Sequence, residues 1–317
     1  MTRFLNEISY ILRLDDRCAW NLSATSGAAE WLQRFASALG LPYGNKGGFP
    51  QIKFIRGAGD VQPPKDPPWP PDLAEIATLT AEGWKSYRHG LVRFWTPPSG
   101  SNLVCELLNS HAHKLDILMM GQALEPVHQK AMELRGVPLH GALVALEGKG
   151  VVLAGANDAG KTTCCQRLPE RWDVLCDDET LVLRGNEGGF FAHPFPTWSD
   201  HFQVRSGLRC DVSRRVPLSA IFFLQKSITV EAVPIGKGQA AARISESSGQ
   251  TSFGRSSGFE PCEKRQRMKR LFENGCDLAL AVPTFDLRFN LTGNFWEQIE
   301  QILSDLQEVS FPNLPRK

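Results

Sequence analysis

Between Val151 and Thr163 the chain reads Val-Val-Leu-Ala-Gly-Ala-Asn-Asp-Ala-Gly-Lys-Thr-Thr. An apolar run meets Gly155, four residues follow (Ala156, Asn157, Asp158, Ala159), and then Gly160-Lys161-Thr162-Thr163 opens a helical pattern. Strand, glycine-bounded loop and helix in that order form a cradle for phosphate. The glycines permit the sharp exit and the backbone angles that side chains forbid. Successive N–H groups, with the positive end of the following helix, face an anion. Lys161 can reach the β- and γ-phosphates of a nucleotide, and the Thr162 hydroxyl can ligate Mg²⁺. Asp158 is the discordant residue, a carboxylate inside an anion-binding loop.

A second constellation follows one helix later, in Cys176-Asp177-Asp178-Glu179. Read as the end of a short strand, it places carboxylates where open α/β sheets bind ligands. In phosphoryl transfer one such group holds Mg²⁺ and another accepts a hydroxyl proton. The bland reading is a solvated turn.

The elements that must carry these residues are legible in outline. Val137–Glu147 reads as a strand, Gly148-Lys149-Gly150 as a turn, and Val151 onward as the strand entering the loop. Upstream, Trp31, Leu32, Phe35 and Leu39 share one face of a helix over 28–39 that Gly40 and Pro42 end. Residues 44–72 read as loop, with a proline-rich stretch at 62–71. Residues 84–108 read as strands joined by tight turns, and 114–135 as helix broken near Pro126. His111 and His113 have metal-ligand types but diverge at this spacing. Residues 236–259, rich in Gly, Ser, Ala and Gln, read as a mobile loop or insertion. Five basic and two acidic residues in 260–270 read as a solvated helix face or a docking surface for an acidic peptide. Phe295, Ile299, Ile302, Leu303 and Leu306 define the inner face of a last helix over 294–308.

The expectation is an α/β protein in two parts, a small N-terminal α+β domain over 1–113 and a nucleotide-binding domain over 114–317. A net charge of +1 gives no field for nucleic acid or an anionic membrane. The eight cysteines form no C-x-x-C and read as reduced thiols. Met1–Glu7 lacks a signal-peptide core and no apolar run has the length of a membrane span, so the expected location is cytoplasmic. Oligomeric state is left open, a homo-oligomer included.

Leu139-His140-Gly141, Gly155 to Thr162, and Cys176-Asp177-Asp178-Glu179, in this register, resemble the catalytic core of the HPr serine kinase/phosphorylase family and its smaller relatives. That resemblance implies a phosphoenolpyruvate carboxykinase-like P-loop fold with ATP and Mg²⁺ as cofactors. It is good over His140–Leu183 and loose over 115–305. Among the relatives the chain looks most like the HPr-kinase-like proteins of peptide-modification cassettes, the SynChlorMet cassette group included, which act on ribosomally made peptides alongside radical-SAM enzymes. Carried over, Lys161 serves the phosphates and Thr162 the metal. Asp177 becomes the general base, Asp178 a metal-side carboxylate and His140 their polar partner. The downstream glycine-containing signature of full HPr kinase/phosphorylases is missing. His193-Pro194-Phe195-Pro196-Thr197-Trp198-Ser199-Asp200-His201 stands in its place, as part of an acceptor pocket (with Arg205 or Arg209) or as a structural turn.

The function expected is γ-phosphoryl transfer from ATP to a serine or threonine hydroxyl of a peptide or protein. A small-molecule acceptor, a nucleotide-dependent ATPase or switch, and a non-catalytic module that binds a precursor peptide are the rivals. No Asn-Lys-x-Asp follows the loop, which disfavours a GTPase.

Overall fold

The computed structural model describes residues 8–57, 71–108, 113–198, 210–251 and 261–310. Most of the proline-rich stretch, His111, Ser199–His201, Arg205 and Arg209 fall outside them, and of His113 only the backbone is described. The chain is mixed α/β with two sheets, and its described residues divide into two compact units. The first takes 8–131, 196–213 and 261–265, and the second takes 132–195, 214–251 and 266–310. The first therefore runs past residue 113, the boundary expected from sequence, and regains two later stretches of chain.

In the first unit six strands run in the order β1-β2-β3-β6-β5-β4. They are β1 (Ser9–Asp15), β2 (Cys18–Ala24), β3 (Gln51–Arg56), β4 (Lys85–His89), β5 (Val92–Thr96) and β6 (Leu103–Leu107). Helix α1 (Ala29–Leu39) buries the expected Trp31, Leu32, Phe35 and Leu39, and Trp31 packs its ring on Phe35 and Phe54. β3 and α2 (Pro71–Ala81) correct the reading of 44–72 as loop. Ile52, Phe54 and Ile55 are buried apolar side chains that the flanking glycines and prolines masked. The chain then forms α3 (His113–Ala123) and α4 (Glu125–Glu133), divided beside Pro126 as expected.

The sheet of the second unit runs β11-β10-β7-β8-β12-β14-β13, with β9 also on β7. β7 (Val137–Leu146) and β8 (Lys149–Ala154) form an antiparallel hairpin. Its turn residues Glu147 and Gly148 both have positive φ, one residue earlier than expected. α5 (Lys161–Arg167) follows β8, and β9 (Asp173–Cys176), β10 (Glu179–Arg184) and β11 (Phe190–Phe195) come next. β12 (Val216–Lys226) lies parallel to β8 and to β14 (Thr284–Phe289), and β13 (Glu231–Pro234) pairs with β14. Val151, Leu153, Phe222, Leu224 and Leu287 form a core with Phe295, Ile299 and Leu303 of α8 (Phe295–Ser310). Burial of each such α8 side chain is worth roughly 1.5–3 kcal/mol.

Residues 237–249 are α6 (Lys237–Gly249), which corrects the mobile-loop reading. Ala240, Ala241 and Ile244 are buried at helical spacing, and alanine is the best helix former. The composition in Gly and Ser hid that row. α7 (Pro261–Ala281) follows.

Candidate functional site

β9 and β10 lie end to end along the same side of β7. Leu143 faces Cys176, His140 faces Glu179, and Asp177-Asp178 occupy the unpaired rungs between. The two aspartates thus stand at the end of β9, as read from sequence, and divide it from β10 within one run antiparallel to β7. On the other side of β7, Gly141 faces Ala154, the last residue before the loop. A Cβ at Gly141 would come within 2.8 Å of Val152 Cγ1, so only glycine lets the two strands approach there. Extending the β7–β10 register puts Asp178 level with Gly141, so the aspartates, His140-Gly141 and the loop meet across three adjacent strands.

Residues 155–160 join β8 to α5. Gly160 has φ 105, and a Cβ on it would lie 2.7 Å from Phe289 Cζ. Asp158 also takes a left-handed conformation (φ 63), which aspartate tolerates better than most residues, and it is exposed. The Gly155 amide donates to His140 O (3.4 Å) and the Ala159 amide to Ala156 O (3.1 Å). Among the described residues the amides of Ala156, Asn157, Asp158 and Gly160 meet no acceptor. Four unspent donors on a solvent-facing loop fit an anionic group. α5 is only seven residues long, so these amides count for more than a helix dipole.

Lys161 is 7% exposed. Its ammonium donates to Gly155 O (2.9 Å), Ala156 O (3.1 Å) and His140 Nε2 (2.8 Å). Burial pulls its pKa below the ordinary 10.5, and Asp178, Asp177 and Asp158 work against that shift. The exposed Thr162 hydroxyl donates to Asp177 Oδ2 (3.0 Å), and Asp177 is buried. Asp178 Oδ1 lies 3.2 Å from His140 Nδ1. Burial lifts the Asp178 carboxyl above its ordinary 3.8, with His140 and Lys161 opposing and Glu179 and Asp177 adding to the rise.

The donor and acceptor inventory fixes the imidazole. An ammonium only donates, so Nε2 of His140 accepts from Lys161 and the ring proton sits on Nδ1, facing Asp178. Asn157 Oδ1, 3.0 Å from the same Nε2, competes for that position. A protonated ring would serve Asn157 and Asp178 together but oppose Lys161.

Every expected site residue is within the described part of the chain. Lys161, His140, Asp178 and Asn157 form one network, and Thr162 with Asp177 a second. Gly155, Ala156, Ala159 and Gly160 contribute backbone. Thr163 is half-buried on α5 and makes no side-chain hydrogen bond among the described residues. The stretch from His193 begins as strand β11, with His193 buried opposite Leu181, so His193–Phe195 are not part of a turn.

Sequence reasoning missed the support behind His140. Ser247 on α6 accepts the His140 amide proton (3.0 Å), and the Ser248 hydroxyl donates to Pro138 O (2.7 Å). Two adjacent serines in a Gly/Ser-rich stretch carry no signal of that role. Arg243, one turn earlier, pairs with Asp286 and lies over the Phe223 ring.

Among the described residues no group of three His, Cys, Asp or Glu side chains could cage a metal. The Thr162 hydroxyl beside the Asp177 carboxylate nevertheless suits Mg²⁺, which takes few protein oxygens and keeps its waters.

Fold and site together define a mixed α/β protein with a glycine-bounded loop, a buried lysine and two carboxylates at one level of its larger sheet. Residues 103–304 match the family model of the SynChlorMet cassette protein ScmC, and the chain belongs to that family. No curated protein matches it. Among the described residues no helix is long and apolar enough to cross a membrane.

Proposed function

We propose that the chain is an ATP- and Mg²⁺-dependent phosphotransferase of the HPr-kinase-like, P-loop type, acting on a serine or threonine hydroxyl of a peptide or protein. The observation that carries this reading is the convergence of two side-chain pairs, Thr162 with Asp177 and His140 with Asp178, on either side of Lys161. The free amides of Ala156, Asn157, Asp158 and Gly160 hold the phosphates, joined by Lys161 once it lets go of the loop carbonyls. Mg²⁺, when bound by Thr162 and Asp177, neutralises charge on the phosphates.

The pairing favours roles for the aspartates opposite to those expected from sequence. Asp177 is already committed to the Thr162 hydroxyl, which puts it on the metal side. Asp178 is half-buried and raised in pKa, which makes it the better base for an acceptor hydroxyl. His140 orients it through Nδ1–H. The peptide acceptor follows from the sequence resemblance and agrees with membership of a cassette family.

The deciding experiment incubates the protein with γ-³²P-ATP and Mg²⁺, with and without a lysate of the source cell. Label on a polypeptide that disappears with Asp178→Asn supports the kinase. Label lost with Asp177→Asn but kept with Asp178→Asn would return the base to Asp177. Free phosphate alone would replace the kinase by an ATPase or switch.

A further inference from the structure

The two most exposed large apolar side chains among the described residues are Ile228, at 95%, and Leu291, at 74%. Each sits in the loop that leaves the carboxyl end of a parallel strand, Ile228 after β12 and Leu291 after β14. Scattered apolar side chains on a surface are ordinary, but these two stand on loops that are fastened together. The Ser227 amide donates to Phe289 O (2.8 Å), and Asn290 Nδ2 donates to Ile228 O (2.9 Å). Asn290 Oδ1 accepts from the Gly293 amide (2.7 Å), and Arg167 of α5 donates to Asn290 O (2.7 Å) and Gly293 O (2.6 Å). Val230 lies so close to Gly293 that a Cβ there would overlap it. Loops held this way keep Ile228 and Leu291 in water, a cost that a flat apolar ligand surface would remove.

Their place in the sheet says which ligand. The phosphate loop leaves the carboxyl end of β8, two strands from β14 in the order β8-β12-β14, all three parallel. Ligands of α/β sheets gather at that end of the strands. Asp177 and Asp178 lie on the other side of β8, along β7. A nucleotide with its terminal phosphate toward the aspartates therefore carries its nucleoside end over β12 and β14. Two strand spacings are about 10 Å, the reach of a nucleotide from β-phosphate to base. We propose that Ile228 and Leu291 form the platform on which the base of the nucleotide lies. Ser227, Thr229, Asn290 and Thr292 bond to one another or to the loop backbone, which leaves the two aliphatic side chains as the outward surface. This assignment rests on the nucleotide reading of the phosphate loop and adds the nucleoside end to it.

The test uses the full chain with Mg²⁺ and calorimetric titration of two ligands, ATP and inorganic tripolyphosphate, which carries the phosphates without base or ribose. The parent should bind ATP at least about tenfold more tightly than tripolyphosphate. Ile228→Ser combined with Leu291→Ser should weaken ATP about tenfold and leave tripolyphosphate unchanged. Both side chains are exposed, so the melt without ligand should stay where it is. Should it fall, Ile228→Thr, which keeps the branched shape, decides at an unchanged melt. Equal ATP affinity in parent and variants overturns the platform. A parallel loss of tripolyphosphate overturns it too, since the loops would then act by shaping the phosphate loop. Tripolyphosphate bound by the parent as tightly as ATP removes the platform and leaves the phosphate loop standing, whereas binding of neither removes both. A dimer that dissociates in the variants with ATP affinity unchanged gives the two side chains to a second copy and overturns the proposal.

Discussion

Each unit holds buried carboxylates beside cations, and the two sets are used differently. In the first unit Glu106 is 2% exposed and accepts from Arg93 (3.1 Å) and the Trp95 indole (3.0 Å). A Cβ on Gly57 would clash with it at 2.1 Å. Asp116 likewise takes Arg34 (3.1 Å) and Arg56 (3.4 Å). These are closed sets, with oppositely charged partners and no room beside Glu106. In the second unit Lys161 spends its protons on its own loop and on an imidazole, and four loop amides wait for acceptors. Asp178 keeps contact with solvent while its pKa is lifted. Burial of charge marks a site only where the hydrogen bonding is left incomplete.

Exchanging one member of each set sharpens the contrast. Lys161→Ala should abolish ATP-dependent stabilisation and lower transfer by more than about a thousandfold; intact ATP protection in a melt would break the phosphate-loop assignment. Asp178→Asn should keep nucleotide protection and lower transfer about 10²–10⁴-fold, read in single-turnover assays. Glu106→Ala should do the reverse, costing about 3–5 kcal/mol in denaturant unfolding by stranding Arg93, with Kd for ATP unchanged. Ser247→Ala should cost about 1 kcal/mol by leaving the His140 amide without its acceptor.

The smallest effect is electrostatic. A carboxyl whose folded pKa is raised favours folding fully below its unfolded value, near 3.8, and loses that contribution as pH rises through the folded value. Without nucleotide, the stability of the parent should therefore decline across that window relative to Asp178→Asn. Parallel curves would show that folding does not raise the Asp178 carboxyl.

What could be read from sequence was local. Gly155 to Thr163 is a contiguous pattern whose strand, loop and helix are neighbours in the chain, and it folds as that order implies. The rows of α1 and α8 were legible for the same reason, since helical periodicity needs no partner to be seen. The pairing of the aspartates was not legible. Whether Thr162 meets Asp177 or Asp178 depends on β9 and β10 running along one side of β7, a non-local register that spacing does not encode. α6 was hidden because its composition resembles a linker, and only the row Ala240, Ala241, Ile244 betrays it. β3 was hidden by the glycines and prolines around it.

The hydroxyl of Ser247 stands in for a neighbouring strand at His140, taking a backbone proton that another ladder residue would otherwise take. That proton is guarded by a helix rather than by the sheet. In deuterated solvent the His140 amide should therefore exchange at the rate at which α6 lifts from β7, while the Val152 amide in the sheet interior waits for larger openings. One amide thus becomes a clock for helix docking, placed on the residue that holds Asp178.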